Sequence, residues 1–351
     1  MLNSKQALSS NYTTPKAQAH AAGSEQRTAP HAPSASRPPM PAHAPWAWAH
    51  YQRACANAWQ PADTDLSADI TQWHDSQALS DDERHIVKRV LGFFVAADTL
   101  VADNLVFALY RHISHPDCRQ FLLRQAFEES QHTHVCRHLV DALQLDSDEI
   151  FGMLKQVPAM QHKFDWLRPL MRGLAVPGFQ CDSEQDERQL LRELVAFYLI
   201  TEGIFCQVAF TQILSLGQRA RMPGTAELFR KMLRNETGHL RFGINLINQL
   251  KREKPALWDK GLQSELSHMI RSAVALETRC AYENMPRGIL GLNAPMFEEH
   301  LQYTANCRCA EIGLAQPYPG AGNPFGWLER AAEQGAGQQK APQQKSLDWE
   351  S

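Results

Sequence analysis

Two Glu-x-x-His pairs, Glu129 with His132 and Glu236 with His239, fall in long stretches of helical periodicity, and each is preceded by a lone carboxylate, Asp98 and Glu202. All six side chains are expected to point inward, from four separate helices. Burying an unpaired carboxylate costs several kcal/mol even after relaxation, and four together threaten a domain whose net stability is about 5–15 kcal/mol. Arginines able to offset them are almost absent from the inward faces. Two divalent or trivalent cations match the charge instead. An i, i+3 spacing lets a glutamate and a histidine of one helix reach the same ion. Carboxylate oxygen with imidazole nitrogen suits iron or manganese.

The inward direction follows from the advance of about 100° per helical residue. Ser80-Asp-Asp-Glu83 is a capping box opening a helix that runs to about His112. On it Val87, Leu91, Phe94, Val101, Leu105 and Leu109 form a stripe centred on Asp98. A second helix, from about Pro116 to Leu143, carries Leu122, Ala126, Cys136 and Val140, with Glu129 central and His132 beside it. A third follows Asp146-Ser-Asp-Glu149 and is disturbed near Pro158. The fourth, from near Ser183 to about Leu216, is apolar nearly all round, encloses Glu202 and should be the most buried. Pro223-Gly224 breaks the chain before a fifth helix, about Thr225 to Lys251, whose stripe of Phe229, Met232, Leu240, Ile247 and Leu250 centres on Glu236. A sixth spans about Ala256 to Met285. Strand signals are nearly absent. The fold class is therefore all-α, a long-helix bundle with a dinuclear metal site in its core.

A chain of this length contains roughly one Glu-x-x-His by chance, and a third copy, Glu265–His268, does occur. Its helix packs through Leu262, Leu266, Met269 and Ala273, which leaves Glu265 at the edge and His268 beyond it, on a solvated face.

The net charge of −3 and a pI near 6.6 give no reason to expect nucleic acid or an anionic membrane as partner. No run of eighteen apolar residues occurs, so no segment is expected to span a membrane, and the N-terminus lacks the basic-then-apolar pattern of a secretory signal. Eight cysteines scatter through helical segments without Cys-x-x-Cys, which reads as reduced thiols in a cytoplasmic protein. Cys307-Arg-Cys309 is too tight for a zinc knuckle and reads as structural. Residues 1–43, rich in Ala, Pro, Ser, His and Gln, are expected to be disordered. His20, His31, His43 and the nearby His50 belong to that solvated tail rather than to a metal site. Residues 44–328 form the folded domain. Residues 329–351 read as a flexible tail ending in Ser346-Leu-Asp-Trp-Glu-Ser351, with one aromatic anchor.

The order carboxylate, Glu-x-x-His, carboxylate, Glu-x-x-His resembles the ferritin-like dinuclear carboxylate proteins. At finer grain the chain resembles the small (beta) subunit of class I ribonucleotide reductase. The matching segments are Pro45-Trp-Ala-Trp48, Cys55-Ala-Asn-Ala-Trp59, Gly92-Phe-Phe-Val-Ala-Ala-Asp98, Arg124-Gln-Ala-Phe-Glu-Glu-Ser-Gln-His-Thr-His134, Thr201-Glu-Gly-Ile-Phe205, Pro286-Arg-Gly-Ile-Leu-Gly291 and Asn323-Pro-Phe325, across about residues 44–328. The nearest variety is class Ic, which uses a manganese/iron pair. The resemblance implies a cytoplasmic homodimer working with a separate large (alpha) subunit. Dioxygen oxidises a Mn/Fe or Fe/Fe pair, and the oxidising equivalent travels to a cysteine of the large subunit, where ribonucleotide reduction begins. It also implies that Asp98, Glu129 and His132 hold one ion, that Glu202, Glu236 and His239 hold the other, and that Glu129 and Glu236 bridge. Leu347-Asp-Trp-Glu350 resembles the acidic-aromatic tails by which such subunits dock on the large subunit.

Three departures bear on radical transfer. Most relatives store the equivalent on a tyrosine four residues after the first histidine; here that position is Cys136. The resemblance therefore implies no tyrosyl radical, with Cys136 either an inert apolar filler or a thiol the metal site can oxidise. Trp59 matches the relay tryptophan, but the relay aspartate is Asn235, which can hydrogen-bond but carries no charge. The tyrosine that relatives carry near the C-terminus is missing, leaving Trp327 and Trp349 as the oxidisable aromatics of the tail. These losses keep open a stand-alone oxidase or oxygenase on the same scaffold, which an apolar channel beside Cys136 and Phe205 would support. A ferritin-like storage protein is the third reading. The tryptophan-containing segment before residue 80 argues against it.

Overall fold

A computed structural model of the chain describes residues 44–104, 108–289 and 291–333, without the side chains of 98–100, 102–104 and 332–333. The expected disordered segment 1–43, with His20, His31 and His43, lies outside the described residues, as do Trp349 and the docking motif.

Eleven helices carry the argument: α1 (Pro45–Ala56), α2 (Ser67–His74), α3 (Asp81–Asn104), α4 (Pro116–Ala142), α5 (Ser147–Gln156), α6 (Pro158–Leu170), α7 (Glu184–Gln218), α8 (Pro223–Glu253), α9 (Lys260–Asn284), α10 (Ala294–Glu311) and α11 (Trp327–Glu333). The described residues contain no strand, only one isolated bridge between Ile289 and Leu292. The fold class is thus all-α, as expected.

The starts of the helices are chemically marked. Ser80 and Glu83 form the expected reciprocal cap, with Glu83 N–H donating to Ser80 Oγ (3.2 Å) and Ser80 N–H to Glu83 Oε2 (2.9 Å). Asp146, Ser183, Asp259 and Asn293 cap α5, α7, α9 and α10. α8 begins differently. Met222 has a left-handed backbone (φ 49°) and no capping side chain. Asp69 of α2 reaches across instead, accepting from Gly224 N–H (2.9 Å), Thr225 N–H (2.6 Å) and Thr225 Oγ1 (2.7 Å). A fully buried carboxylate therefore satisfies the orphan N–H groups at the positive end of the helix that carries Glu236 and His239.

Pro158 separates α5 from α6 outright, with Val157 between them in extended conformation, where the periodicity had suggested only a disturbance. α3 is helical to Asn104, residues 105–107 are not described, and helix resumes over Tyr110–His112. The tail expected from residue 329 keeps its first turns in α11, where Leu328 is buried and Tyr303 donates to Glu329 (3.3 Å).

α7 is the central rod. It is long and apolar enough to cross a membrane by length and composition alone, yet 94% of its most apolar window is buried inside the bundle. Its middle, Val195–Phe205, is π-helical, and every residue of that stretch is buried. Thr201 Oγ1 donates to the Ala196 carbonyl five residues back (2.9 Å), and Cys206 Sγ contacts the Thr201 carbonyl (3.3 Å). Such bulges cluster at functional sites, and this one holds Glu202.

Candidate metal centre

α4 presents Glu129 and His132 one turn apart, the π-helical part of α7 presents Glu202, and α8 presents Glu236 and His239. All five are buried, none more than 5% exposed. Oxygen atoms of Glu129, Glu202 and Glu236 and a nitrogen of His239 all lie within 4.8 Å of one another. His132 Nδ1 is 3.2 Å from Glu236 Oε1 and 3.4 Å from Glu129 Oε2. His239 Nδ1 is 3.0 Å from Glu129 Oε1 and 3.9 Å from Glu202 Oε1. Asp98 lies on the backbone of α3, the fourth helix; its side chain is outside the described residues.

The electrostatics show a cluster short of positive charge. Burial alone would raise Glu129, but the imidazoles of His132 and His239 beside it outweigh that and hold the carboxyl at about 2. Both imidazoles are driven well above the ordinary histidine range: burial opposes this, and the surrounding glutamates overcome it. Burial, reinforced by Glu236, pushes Glu202 well above the usual carboxylate range.

Glu129 Oε1, Glu202 Oε2, Glu236 Oε2, both nitrogens of His132 and His239 Nδ1 are buried without a well-formed hydrogen bond. Buried polar atoms normally find partners. Here the unsatisfied atoms face one another, and they are the oxygen and nitrogen donors that manganese and iron take. The residues present fit a metal pair.

Sequence reasoning missed part of the surround. Gln125 Nε2 donates to Glu202 Oε1 (2.8 Å), and Tyr198 OH donates to Gln125 Oε1 (3.0 Å). Tyr198 fits because residue 243 is glycine; a Cβ there would sit 2.0 Å from Tyr198 Cγ. Glu128, a further buried carboxylate, contacts His239 Nε2 (2.8 Å) and accepts from Arg124 Nε (3.0 Å). So one inward arginine does exist, in keeping with the expectation that such residues are almost absent there. The Glu128-Glu129 dipeptide with an arginine four residues earlier was the available signal.

Trp59 Nε1 donates to Asn235 Oδ1 (2.9 Å), and the Trp59 carbonyl accepts from Gln131 Nε2. Cys136 and Phe205 are both packed in the hydrophobic core, 0% and 1% exposed. Glu265 and His268 of the third pair are exposed, with Glu265 bound to Arg192. His50 does not join the N-terminal tail: it is buried on α1, 3.0 Å from Asn245 Nδ2.

Four helices, two of them carrying the Glu-x-x-His pairs that meet in one donor cluster, define a ferritin-like dinuclear carboxylate protein. Residues 39–324 match the family model described as ribonucleotide reductase, small chain, and the chain belongs to that family. It is 40% identical over 288 residues to the ribonucleoside-diphosphate reductase subunit beta of Chlamydia pneumoniae, covering 82% of this chain and 83% of that one. The ribonucleotide reductase R2 subunit of Clostridium botulinum superposes with a TM-score of 0.74 at 25% identity, over 83% of this chain and 89% of that one. An R2-like ligand-binding oxidase with a reconstituted Mn/Fe cofactor shares the fold (TM-score 0.61, 16% identity, 77% and 94% covered). The activity is accordingly that of a ribonucleoside-diphosphate reductase small subunit, which works with a large subunit. The stand-alone oxidase reading is not favoured.

Proposed function

We propose that Asp98, Glu129 and His132 hold one ion and Glu202, Glu236 and His239 the other, with Glu129 and Glu236 bridging, and that Trp59 links this centre to the large subunit. The supporting observation is that Trp59 bonds to the residue next to a ligand: its indole N–H donates to Asn235, which directly precedes Glu236. When bound, the metal pair supplies the reaction with dioxygen that generates the oxidising equivalent.

The chain's own residues do the rest. Gln125 fixes Glu202 through one donor and is itself fixed by Tyr198. Phe121 and Phe242 stack at 4.1 Å, and Phe121 lies edge-on to His239, which packs that face of the imidazole. Asn235 holds the indole by a neutral acceptor, so it orients Trp59 without adding the negative charge that would stabilise an indole cation. Cys136 acts as a buried filler, so no side chain at that position would take up the oxidising equivalent that a bound Mn/Fe pair, as in class Ic, or Fe/Fe pair would supply. The subunit forms a cytoplasmic homodimer and docks on its large subunit through the Leu347–Glu350 tail.

The test is full-length protein, loaded with metal, exposed to dioxygen and mixed with a large subunit and a ribonucleoside diphosphate. Parent protein is expected to form deoxynucleotide. Trp59→Phe should form none while keeping parental metal content and electron paramagnetic resonance signals. Product formation by Trp59→Phe at the parental rate would refute the relay, and a sulfur-centred radical in the parent would refute the passive Cys136.

A further inference from the structure

The residue immediately before each Glu-x-x-His has a buried partner, and the two positions differ in charge. Asn235, before Glu236, is neutral and holds Trp59. Glu128, before Glu129, is 1% exposed and reaches across the bundle to the opposite helix, where its Oε2 lies 2.8 Å from His239 Nε2. Arg124, one turn back on α4, donates to the other oxygen of Glu128 (3.0 Å) and to the Ala54 carbonyl (3.2 Å). An ionised carboxylate can only accept, so His239 Nε2 is the donor. That leaves Nδ1, the atom 3.0 Å from Glu129, to face the ion. His132 has no such anchor: neither of its nitrogens has a well-formed hydrogen bond among the described residues.

Glu128 is not held by close packing alone. With His239, Asn235, Arg53 and Arg234 it lines a cavity of about 270 Å³. Its orientation therefore rests on its two hydrogen bonds.

We propose that Glu128, fixed by Arg124, is a positioning residue for the metal centre. It sets the ring orientation and tautomer of His239 and strengthens that imidazole as a donor, so the His239 side holds its ion more tightly than the His132 side. Arg124 balances the added carboxylate, so direction is gained without further net charge on the cluster. Outer carboxylate partners of ligating histidines act in this way generally. The inference rests on the dinuclear reading given above.

The experiment is equilibrium dialysis of full-length, metal-free protein against Mn(II), with electron paramagnetic resonance and thermal unfolding of each sample. Parent protein should bind two ions with unequal affinity. Glu128→Gln keeps an acceptor and loses the charge; it should weaken the tighter site by about tenfold. Glu128→Ala should weaken it by about a hundredfold, the upper end for an outer partner. The Mn(II) line shape should change in both, with the weaker constant unmoved. Arg124→Gln should act in the same direction, less strongly, and together with Glu128→Gln it decides the matter if Glu128→Ala fails to fold. Parental constants and spectra in both, or equal weakening of both sites, would overturn the assignment. A parent that binds no manganese would instead sink the dinuclear reading itself.

Discussion

Two buried polar regions meet along the π-helical stretch of α7, and they solve the same electrostatic problem differently. Near Phe205, Lys163 Nζ lies 2.6 Å from Glu277 Oε2, with both residues 3% exposed. The ammonium also sits 4.0 Å from the centre of the Phe93 ring and 4.8 Å from that of Phe205. Burial opposes the charge on Lys163, but Glu277 outweighs it and holds the amine above the ordinary lysine range. One anion meets one cation, and neither head group is left unsatisfied. Three residues earlier, Glu202 belongs to a cluster that gathers Glu128, Glu129 and Glu236 around two imidazoles, with Arg124 the one cation hydrogen-bonded to it among the described residues. That cluster keeps six unsatisfied buried atoms. Burial of charge thus does not mark a functional site. A deficit of counter-charge, with donors facing one point, does.

The sharpest way to break this comparison is to remove one charged group from each region. Glu202→Gln should lose more metal affinity and reductase activity than the about 10–100-fold that removal of an outer partner costs. In the metal-free protein the same change should be neutral or stabilising, because it relieves a carboxyl that burial and Glu236 already push upward. Elemental analysis and denaturant unfolding, with and without chelator, read the two signs. Destabilisation of the metal-free protein would show that the carboxylates are satisfied without cations. Lys163→Met should behave oppositely. It should leave metal content unchanged and cost about 3–5 kcal/mol by stranding Glu277, and Lys163→Met with Glu277→Leu should recover most of that. A single variant as stable as the parent would mean the pair contributes nothing.

What could be read from the sequence follows the same division. Glu129, His132, Glu236 and His239 were legible because each pair repeats at helical spacing at the centre of an apolar stripe. Glu202 was legible because nothing basic accompanies it on an all-apolar helix. The π-helical geometry around it was not: a rod that is apolar on every side has no period to shift, so the extra residue per turn leaves no trace. Glu128 was hidden for another reason. An arginine four residues before a glutamate is a common surface pair, and only the packing of α8 against α4 turns that pair inward. Gln125 was invisible because its partners, Glu202 and Tyr198, lie more than seventy residues away. Local breaks were easier: Pro158 ends α5 through its ring, whereas the cap of α8 depends on Asp69, about 155 residues distant.

Glu193 gives the comparison a third case and the smallest expected effect. It is fully buried on α7 and accepts from Leu174 N–H (2.7 Å) and Gln189 Nε2 (2.9 Å), while its other oxygen has no partner. Among the described residues no cation pairs with it. Burial raises its carboxyl to about 7, against the hydrogen bonds that favour ionisation. This carboxyl therefore meets its problem by holding its proton up to about pH 7. A folded-state value above the unfolded one of about 4.3 gives stability that is full below that pH, declines as pH rises toward 7 and levels off beyond. The loss across that window amounts to up to about 3 kcal/mol. Glu193→Gln keeps the neutral shape at every pH, so its stability relative to the parent should grow between pH 5 and 8. Denaturant unfolding at those two values measures the difference, and the metal centre, common to both proteins, cancels. Parallel curves would mean that Glu193 is ionised throughout, and that a buried carboxylate here tolerates its charge with neither a cation nor a proton.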